Sequence, residues 1–502
     1  MKRYPSLMSI EVTPIRLIMF TSPDCVYCPP VAQIVEEVVG SGMQELVHVS
    51  TIDIVDDPDT ASQYQILALP TLVINESVVL EGGMDDDSVR DLLWSTLMSH
   101  AISTEKTVTD TTNSLLAITM NAMDSLNGSR ILRPSLGDFT HIGVYQQYLL
   151  SLYSLDPLIP YLLYKAGYQL GKVGMMHHVL TLLHPTLGKA AKKRNKIRHL
   201  ARAFELYFSD LEILPTHLAS GAKVMDVTDT MILLRVDELA SASIRINVGE
   251  PMCGFTAGQL AGVTAVVMGT SSGVTRCDEI KCMANGGEYC LFRIAIDDPR
   301  PIQLPPIEDK EARADRQQNF YEVIHEMTAS IQNSMVMRKI QRTKVGDFIH
   351  ISVLQPIIVA LKFLDKLSGT ILFNGGKELG IFGPGKDLLY SLVQEEDVQV
   401  PVPIDKGVNL LVTYLSHPKT ALGREFGRLK LEKIEDRVYH LQVEDMASIA
   451  GMSSAALGHT FCDFQAGFFA GRLHILIGVD PKIKEIECQG MGHKKCKFEI
   501  RV

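Results

Sequence analysis

Short apolar runs divided by turn signals set out the first hundred positions. "IRLIMF" at 15–20 is apolar, brief and closed by Ser-Pro, the pattern of a buried strand. "VAQIVEEVV" then carries apolar residues at helical spacing. "ELVHVSTIDI" predicts a second strand, "DPDTASQYQ" a short helix, "ALPTLVI" and "ESVVLEGG" a pair of strands, and "DDDSVRDLLWSTLMSH" a closing helix. The order is βαβαββα, an α/β layer. "SPDCVYCPP" falls where the first strand hands over to the first helix.

Residues 101–112, "AISTEKTVTDTT", are polar and read as a linker. Beyond them the pattern repeats. "LGDFTHIGV" at 136–144 returns as "VGDFIHISV" at 345–353, and "CGFTAGQLAG" at 253–262 returns as "CDFQAGFFAG" at 462–471, both 209 positions later. Gly167 and Gly171 match Gly376 and Gly380 at the same offset. "EIKCMANGGEYCLF" at 279–292 returns as "EIECQGMGHKKCKF" at 485–498, now 206 later. The expected organisation is therefore 1–100, a linker at 101–112, a first copy at 113–297, a Pro-rich linker at 298–316 and a second copy at 317–502. Each copy is α+β, helices first and an antiparallel sheet last. "DTMILLRVDEL" and "DRVYHLQVEDM" are equivalent strands, and the closing hairpins turn at "NGGE" and "GMGH". The C-x-F-x-A-G-x-x-A-G stretch is a helix with its small residues on one face, open to close approach by another element.

A chain of 502 residues is too long for one core. With 46% hydrophobic and 21% charged residues it reads as soluble and globular. A net charge of −10 implies no general attraction to nucleic acid or to an anionic membrane. "MKRYPSLMSIEVTP" lacks the apolar core of a secretory signal, and the most apolar late stretch is broken by His459, Asp463 and Arg472. A cytoplasmic location follows as the expectation. There, nine cysteines point to metal or redox chemistry rather than structural disulfides.

Cys25 lies where a helix dipole and free N–H groups favour a thiolate, and Cys28 is placed to resolve a mixed disulfide. Half of a zinc site and a pair of inert thiols are the competing readings. This stretch resembles a thioredoxin or glutaredoxin domain over roughly residues 12–100. The resemblance implies that Pro70 in "ALPTLVI" is cis and lies against the dithiol. The chain departs from the family pattern in having Asp24 where thioredoxins have Trp, and in its Val-Tyr dipeptide, and these leave the redox direction open.

Cys282 and Cys290 are equidistant from Gly286, as Cys488 and Cys496 are from Gly492. A hairpin makes each pair cross-strand neighbours. With the helix cysteine and the glutamate, the sets become Cys253, Glu279, Cys282, Cys290 and Cys462, Glu485, Cys488, Cys496. Three thiolates and a carboxylate complete a closed tetrahedral zinc shell. A regular strand resists this, because Glu279 and Cys282 would face opposite sides unless a bulge intervenes. A cross-strand disulfide and simple thiol packing remain as alternatives. The helix followed by E-x-x-C-x(7)-C-x-F resembles the 4-vinyl reductase domain, most strongly over 236–297 and 440–502. In phenol sensors of that family these residue types bind zinc beside a buried aromatic-ligand pocket, which implies one zinc per copy here.

The expected function is a cytoplasmic redox and sensor protein, with a thiol or disulfide protein as one partner and an apolar or aromatic small molecule as another. The alternatives are a thiol-disulfide oxidoreductase whose repeats recruit substrate or form a homodimer, and an adaptor without ligand, since this domain type resembles vesicle-tethering subunits. Vinyl reductase activity is not expected, because nucleotide and flavin motifs are missing. The basic run "KAAKKRNKIRHLAR" at 189–202 reads as a solvated helix face, and the recurring His141 and His350 as hydrogen-bonded core residues.

Overall fold

The computed structural model describes residues 15–40, 47–64, 66–83, 85–86, 88–90, 92–93, 96–97, 119–173, 176, 193–210, 216–243, 247–270, 275–298, 310–337, 342–364, 368–383, 389, 400–416, 425–452 and 460–502. They fall into two compact units that divide near residue 106.

The first unit is a four-stranded sheet built from β1 (Ile15–Thr21), β2 (Val47–Asp53), β3 (Thr71–Ile74) and β4 (Ser77–Glu81), in the order β2-β1-β3-β4. β1 runs parallel to β2, Ile15 opposite Val47, and antiparallel to β3, Leu17 opposite Ile74. A parallel pair needs a crossover, and α1 (Cys28–Gly40) supplies it. Val31, Ile34, Val35 and Val38 form one buried stripe along this helix, at the spacing of an amphipathic helix. A short helix, α2 (Pro58–Gln63), follows β2, and its Asp57 side chain caps it by accepting from Thr60 N–H at 3.1 Å. Ile18, Phe20 and Val73 form a core cluster against Ile52, Ile54 and Tyr64. The expected closing helix is helical at 86, 88–90, 92–93 and 96–97; its remaining positions lie outside the described residues.

The second unit holds both repeats. Each opens with a short strand, β5 (Phe139–His141) in the first copy and β10 (Phe348–His350) in the second, and closes with its own antiparallel sheet. In the first copy β6 (Gly221–Val227), β7 (Met231–Asp237), β8 (Arg276–Lys281) and β9 (Cys290–Ala295) stand in the order β6-β7-β9-β8. In the second, β11 (Arg428–Glu435), β12 (Val438–Glu444), β13 (Lys482–Glu487) and β14 (Cys496–Arg501) repeat it as β11-β12-β14-β13. Alternate residues of β7 (Ile232, Leu234, Val236) and of β9 (Cys290, Phe292, Ile294) are buried, so each sheet has one core face and one wet face.

In the first copy β5 runs into α3 (Ile142–Tyr153), a helix buried along its whole length, and α4 (Ile159–Val173) and α5 (Lys193–Ser209) follow. The small-residue helix of this copy is α6 (Gly254–Met268). A long helix, α7 (Lys310–Met337), then precedes the second copy, whose helices are α8 (Gln355–Leu364), α9 (Ser368–Phe382), α10 (Ile404–Leu415) and the small-residue helix α11 (Asp463–Ile477). Each small-residue helix crosses a Gly-bearing one: α4 packs on α6, and α9 on α11. The approach is backbone to backbone. A Cβ on Gly258 would stand 2.0 Å from Tyr164 O, and one on Gly467 1.9 Å from Phe373 O.

The two copies interlock. β5 pairs antiparallel with β10 so that Thr140 faces Ile349, its own equivalent at an offset of 209. Phe139 stacks edge-on with His350 at 5.4 Å, and His141 with Phe348 at 5.5 Å. This is an isologous contact about a pseudo-two-fold axis, made within one chain. The segments around it are exchanged. Leu132 of the first copy packs with Ile351, Ala447 and Ala450 of the second. In return α7 crosses to the first copy, where Asn319 donates to Val248 O at 3.2 Å and Arg316 donates to Tyr153 O. α7 begins at Lys310, inside the stretch expected to be linker, so the described connection is shorter than 298–316. Among the described residues no helix is long and apolar enough to cross a membrane.

Candidate metal centres and dithiol site

Each quartet forms where a helix begins over a hairpin. Cys253 is the N-cap of α6, and its N–H donates to Glu279 Oε2 at 3.0 Å. Cys462 caps α11 and donates to Glu485 Oε2, also at 3.0 Å. A carboxylate at a helix N-terminus meets free N–H groups and the positive dipole end. The parity conflict between glutamate and cysteine is resolved by a bulge. The register slips between Glu279 and Lys281, and between Glu485 and Glu487. The extra residue, Ile280 or Ile486, is turned to solvent, which brings Glu279 to the side of Cys282 and Glu485 to that of Cys488. The hairpin ends are single 3-10 turns, Met283–Asn285 and Gln489–Met491, closed by Gly286 and Gly492 at φ of 72° and 90°. That left-handed conformation favours glycine.

Four potential ligand atoms therefore converge in each copy, all within 4.8 Å of one another. Cys253 Sγ is 4.0 Å from Cys282 Sγ and 3.6 Å from Cys290 Sγ, and Cys462 Sγ is 3.4 Å from Cys496 Sγ. A disulfide needs about 2.05 Å, and these seven buried cysteines, Cys277 included, are free. Thiolates each about 2.3 Å from a zinc ion stand about 3.8 Å apart at the corners of a tetrahedron, which the observed spacings bracket. Glu279 Oε1 and Glu485 Oε1 are buried with no hydrogen-bond partner, as ligand oxygens should be. The protonation pattern agrees. S–H donors from Cys253 and Cys290 hold the Cys282 thiol down to about 2, and those from Cys462 and Cys496 hold Cys488 down to about 3. Burial pushes Cys253, Cys462 and Glu279 well up, and burial with the charge on Cys488 raises Glu485 to about 9. Without a cation each buried quartet thus keeps about one negative charge. A bound divalent cation supplies the charge that lets the remaining groups deprotonate. Both quartets could hold a metal, and four protein ligands leave no open position for substrate.

In the first unit Cys25 and Cys28 form a disulfide. Cys28 is buried and Cys25 is half-buried, so an incoming thiolate reaches Cys25 first. α1 begins at Cys28 itself, followed by two prolines without N–H groups, and Cys28 N–H is already bonded to Cys25 O at 3.4 Å. The N–H groups available to a Cys25 thiolate are therefore fewer than the sequence position suggests. The Leu69–Pro70 bond is cis. Val26, Tyr27 and Leu67 leave exposed apolar surface in the loops beside the disulfide and Pro70.

Comparison with known proteins places these regions. The family model of the 4-vinyl reductase (V-4-R) domain matches residues 235–296 and 440–502, and that of a thioredoxin domain matches 15–93. A thioredoxin of Methanocaldococcus jannaschii is 40% identical over 68 residues, 14% of this chain and 79% of that protein. A probable thioredoxin of Methanothermobacter thermautotrophicus is 36% identical over 64 residues, 13% of this chain and 74% of that protein. An uncharacterized protein of M. jannaschii is 22% identical over 181 residues, 36% of this chain and 92% of its own length. No solved structure matches the chain significantly. The chain belongs to the thioredoxin family through its N-terminal region and carries two 4-vinyl reductase domains.

Each 4-vinyl reductase copy has a cavity that begins two residues past its helix cysteine. The first, about 30 Å³, is lined by Phe255, Thr256 and Gln259 of α6, by Tyr145, and by Val353 and Pro356 of the other copy. The second, about 20 Å³, is lined by Phe464, Gln465 and Phe468 of α11, by Glu425, and by Val144 and Tyr148 of the other copy. The correspondence is positional: Phe255 matches Phe464, and Val353 matches Val144, at the offset of 209. Both spaces are water-sized as they stand.

Sequence reading missed Glu425. It lies outside the repeated motifs, and only the equivalent backbone bonds Ala240 N–H to Leu218 O and Ala447 N–H to Glu425 O identify Leu218 as its counterpart. The recurring histidines turn out to be helix caps: His141 Nδ1 accepts from Gly143 N–H at 3.0 Å and His350 Nδ1 from Ser352 N–H at 3.2 Å. In the basic run, Arg198 and Arg202 are exposed on α5, and Arg202 pairs with Glu205 at 2.5 Å; Lys189 and Lys192 lie outside the described residues.

Proposed function

We propose that this chain is a redox and sensor protein. Its N-terminal domain exchanges disulfides through Cys25 and Cys28, with Pro70 beside them. Its 4-vinyl reductase copies each hold a zinc ion, through Cys253, Glu279, Cys282 and Cys290 and through Cys462, Glu485, Cys488 and Cys496. Beside each ion the copy binds an apolar or aromatic small molecule. The observation that carries the reading is the coincidence, twice over, of a four-ligand cluster and an aromatic-walled cavity on the first two turns of one helix. The metal fixes the helix start and the hairpin end, and so the cavity wall. Domain limits at 1–100, 113–297 and 317–502 belong to the same proposal, with the two copies acting as one interlocked receptor.

Native mass spectrometry of the full chain tests it. Two zinc ions per chain and a co-purified ligand are expected; no metal would overturn the cluster assignment. Reduction of insulin disulfides, lost in Cys25→Ser, tests the dithiol. The small size of both cavities favours a second reading, a thiol-disulfide oxidoreductase whose repeated domains serve only to recruit partners or to dimerise. Two zinc ions with no ligand binding by either copy would select it.

A further inference from the structure

The second cavity differs from the first in carrying a buried acid. Glu425 is 3% exposed and lines the space together with Tyr148 and Gln465, each also 3% exposed. Glu425 Oε2, Gln465 Oε1 and Tyr148 Oη are all buried without a hydrogen-bond partner. The rest of each group is accounted for: Ser448 N–H donates to the Glu425 carboxylate, and Gln465 Nε2 donates to Ser448 Oγ at 2.8 Å. Three oxygens able to accept thus remain at one enclosed place, and native interiors rarely leave such groups unmet. The other walls are π faces. The Phe464 ring lies 3.9 Å from the Tyr148 ring, and Phe426 stands 5.7 Å from Phe468. The first copy offers Leu218 in place of Glu425, Thr256 in place of Gln465 and Gln259 in place of Phe468.

We propose that the cavity of the second copy seats a primary ammonium group, whose three N–H donors meet Glu425, Gln465 and Tyr148 while aromatic rings surround the adjoining carbon. This rests on the receptor reading above and adds the chemical class of one of its two ligands. The match is one of number and sign. An ammonium has three donors and no acceptor, the site has three open acceptors, and cations are favoured over ring faces. A water molecule supplies only two donors. The buried Arg133 guanidinium near Glu425 opposes a cation, but it also favours the ionised carboxylate, and Asp463 adds negative charge on the Tyr148 side. A space of about 20 Å³ takes the head group, and a tail enters by movement of the rings.

The test is calorimetric titration of the zinc-loaded full chain with benzylamine and with benzyl alcohol, on wild type, Glu425→Gln and Glu425→Leu. Glu425→Leu copies the first repeat and Glu425→Gln preserves shape, so one of them remains folded. Benzylamine should bind wild type, and either variant should weaken it about 10- to 100-fold, the range for a lost charge-assisted hydrogen bond, with little change for the alcohol. Equal affinity for both compounds, or amine affinity retained in Glu425→Leu, would overturn the ammonium seat and leave the receptor reading standing. A crystal structure with an ordered water only between the three groups, after soaking in benzylamine, would overturn it too. The receptor reading falls by a separate result, the absence of any ligand on either copy in native mass spectrometry.

Discussion

The two 4-vinyl reductase copies keep one set of residues and change another, and the division follows physical constraint. The quartets, the left-handed Gly286 and Gly492, the bulges, and the paired Phe and His of the central ribbon are the same in both. Each is a geometric requirement: a coordination shell, a turn, a parity correction, a self-complementary contact. The changed residues surround the cavities and the approach to the clusters. Tyr153 and Gly254 of the first copy stand where the second has Lys362 and Asp463, which form an ion pair. Leu218 stands where the second has Glu425. The frame was held while its contents diverged, as expected if the copies serve different ligands on a shared scaffold.

The sharpest way to break the comparison is at the frame. Cys282→Ser and Cys488→Ser should each reduce the zinc count by native mass spectrometry from two to one. They should also lower the melting temperature strongly, because structural zinc contributes on the order of 10 kcal/mol to the fold it closes. The two variants should behave alike. A full metal count in either would show that the thiols are packing groups.

Next in size are the helix crossings. A Cβ at Gly258 or Gly467 meets a carbonyl oxygen of the crossing helix at 2.0 or 1.9 Å, so alanine at either position must push the paired backbones apart. Each substitution should cost about 3 kcal/mol or more by chemical denaturation, at the upper end of overpacking effects. Gly286→Ala is the control. Nothing lies within 4 Å of its added Cβ, and the left-handed φ of 72° alone should cost about 1 kcal/mol. Comparable losses at Gly258 and Gly286 would show that the crossing is not tight.

These crossings were readable in the chain, because A-G-x-x-A-G presents small residues on one helical face and Gly167, Gly171, Gly376 and Gly380 recur at the repeat offset. So were the sheets, from alternation, and the quartets, from spacing. Even the bulge was signalled, since Glu279 and Cys282 could not otherwise share a side. The exchange of segments was not readable. Leu132 and Phe320 are apolar at the same spacing whether they pack on their own copy or its neighbour, and periodicity carries no information about which. Glu425 was hidden for another reason. It sits in the connection before β11, away from any repeated motif, and a lone acid there reads as a surface residue until its surroundings are known.

The smallest expected effect separates the cavities by pH. Burial raises the Glu425 carboxyl from its usual range near 4.5 to about 7, against the lowering effect of Arg133. Between those two values the folded chain holds a proton at this position that the unfolded chain has released. Stability contributed by Glu425 therefore falls as pH rises from about 4.5 to 7, then stays level, for a total of about 3 kcal/mol. Glu425→Leu removes this term, as Leu218 does naturally in the first copy. The variant's gain over wild type, measured by denaturation without ligand, should accordingly be small near pH 5 and approach about 3 kcal/mol at about pH 8. All other titrating groups are shared and cancel in the difference. Parallel stability curves for the two proteins across that range would mean that the acid is already satisfied in the fold, and the contrast between the cavities would then be one of shape alone.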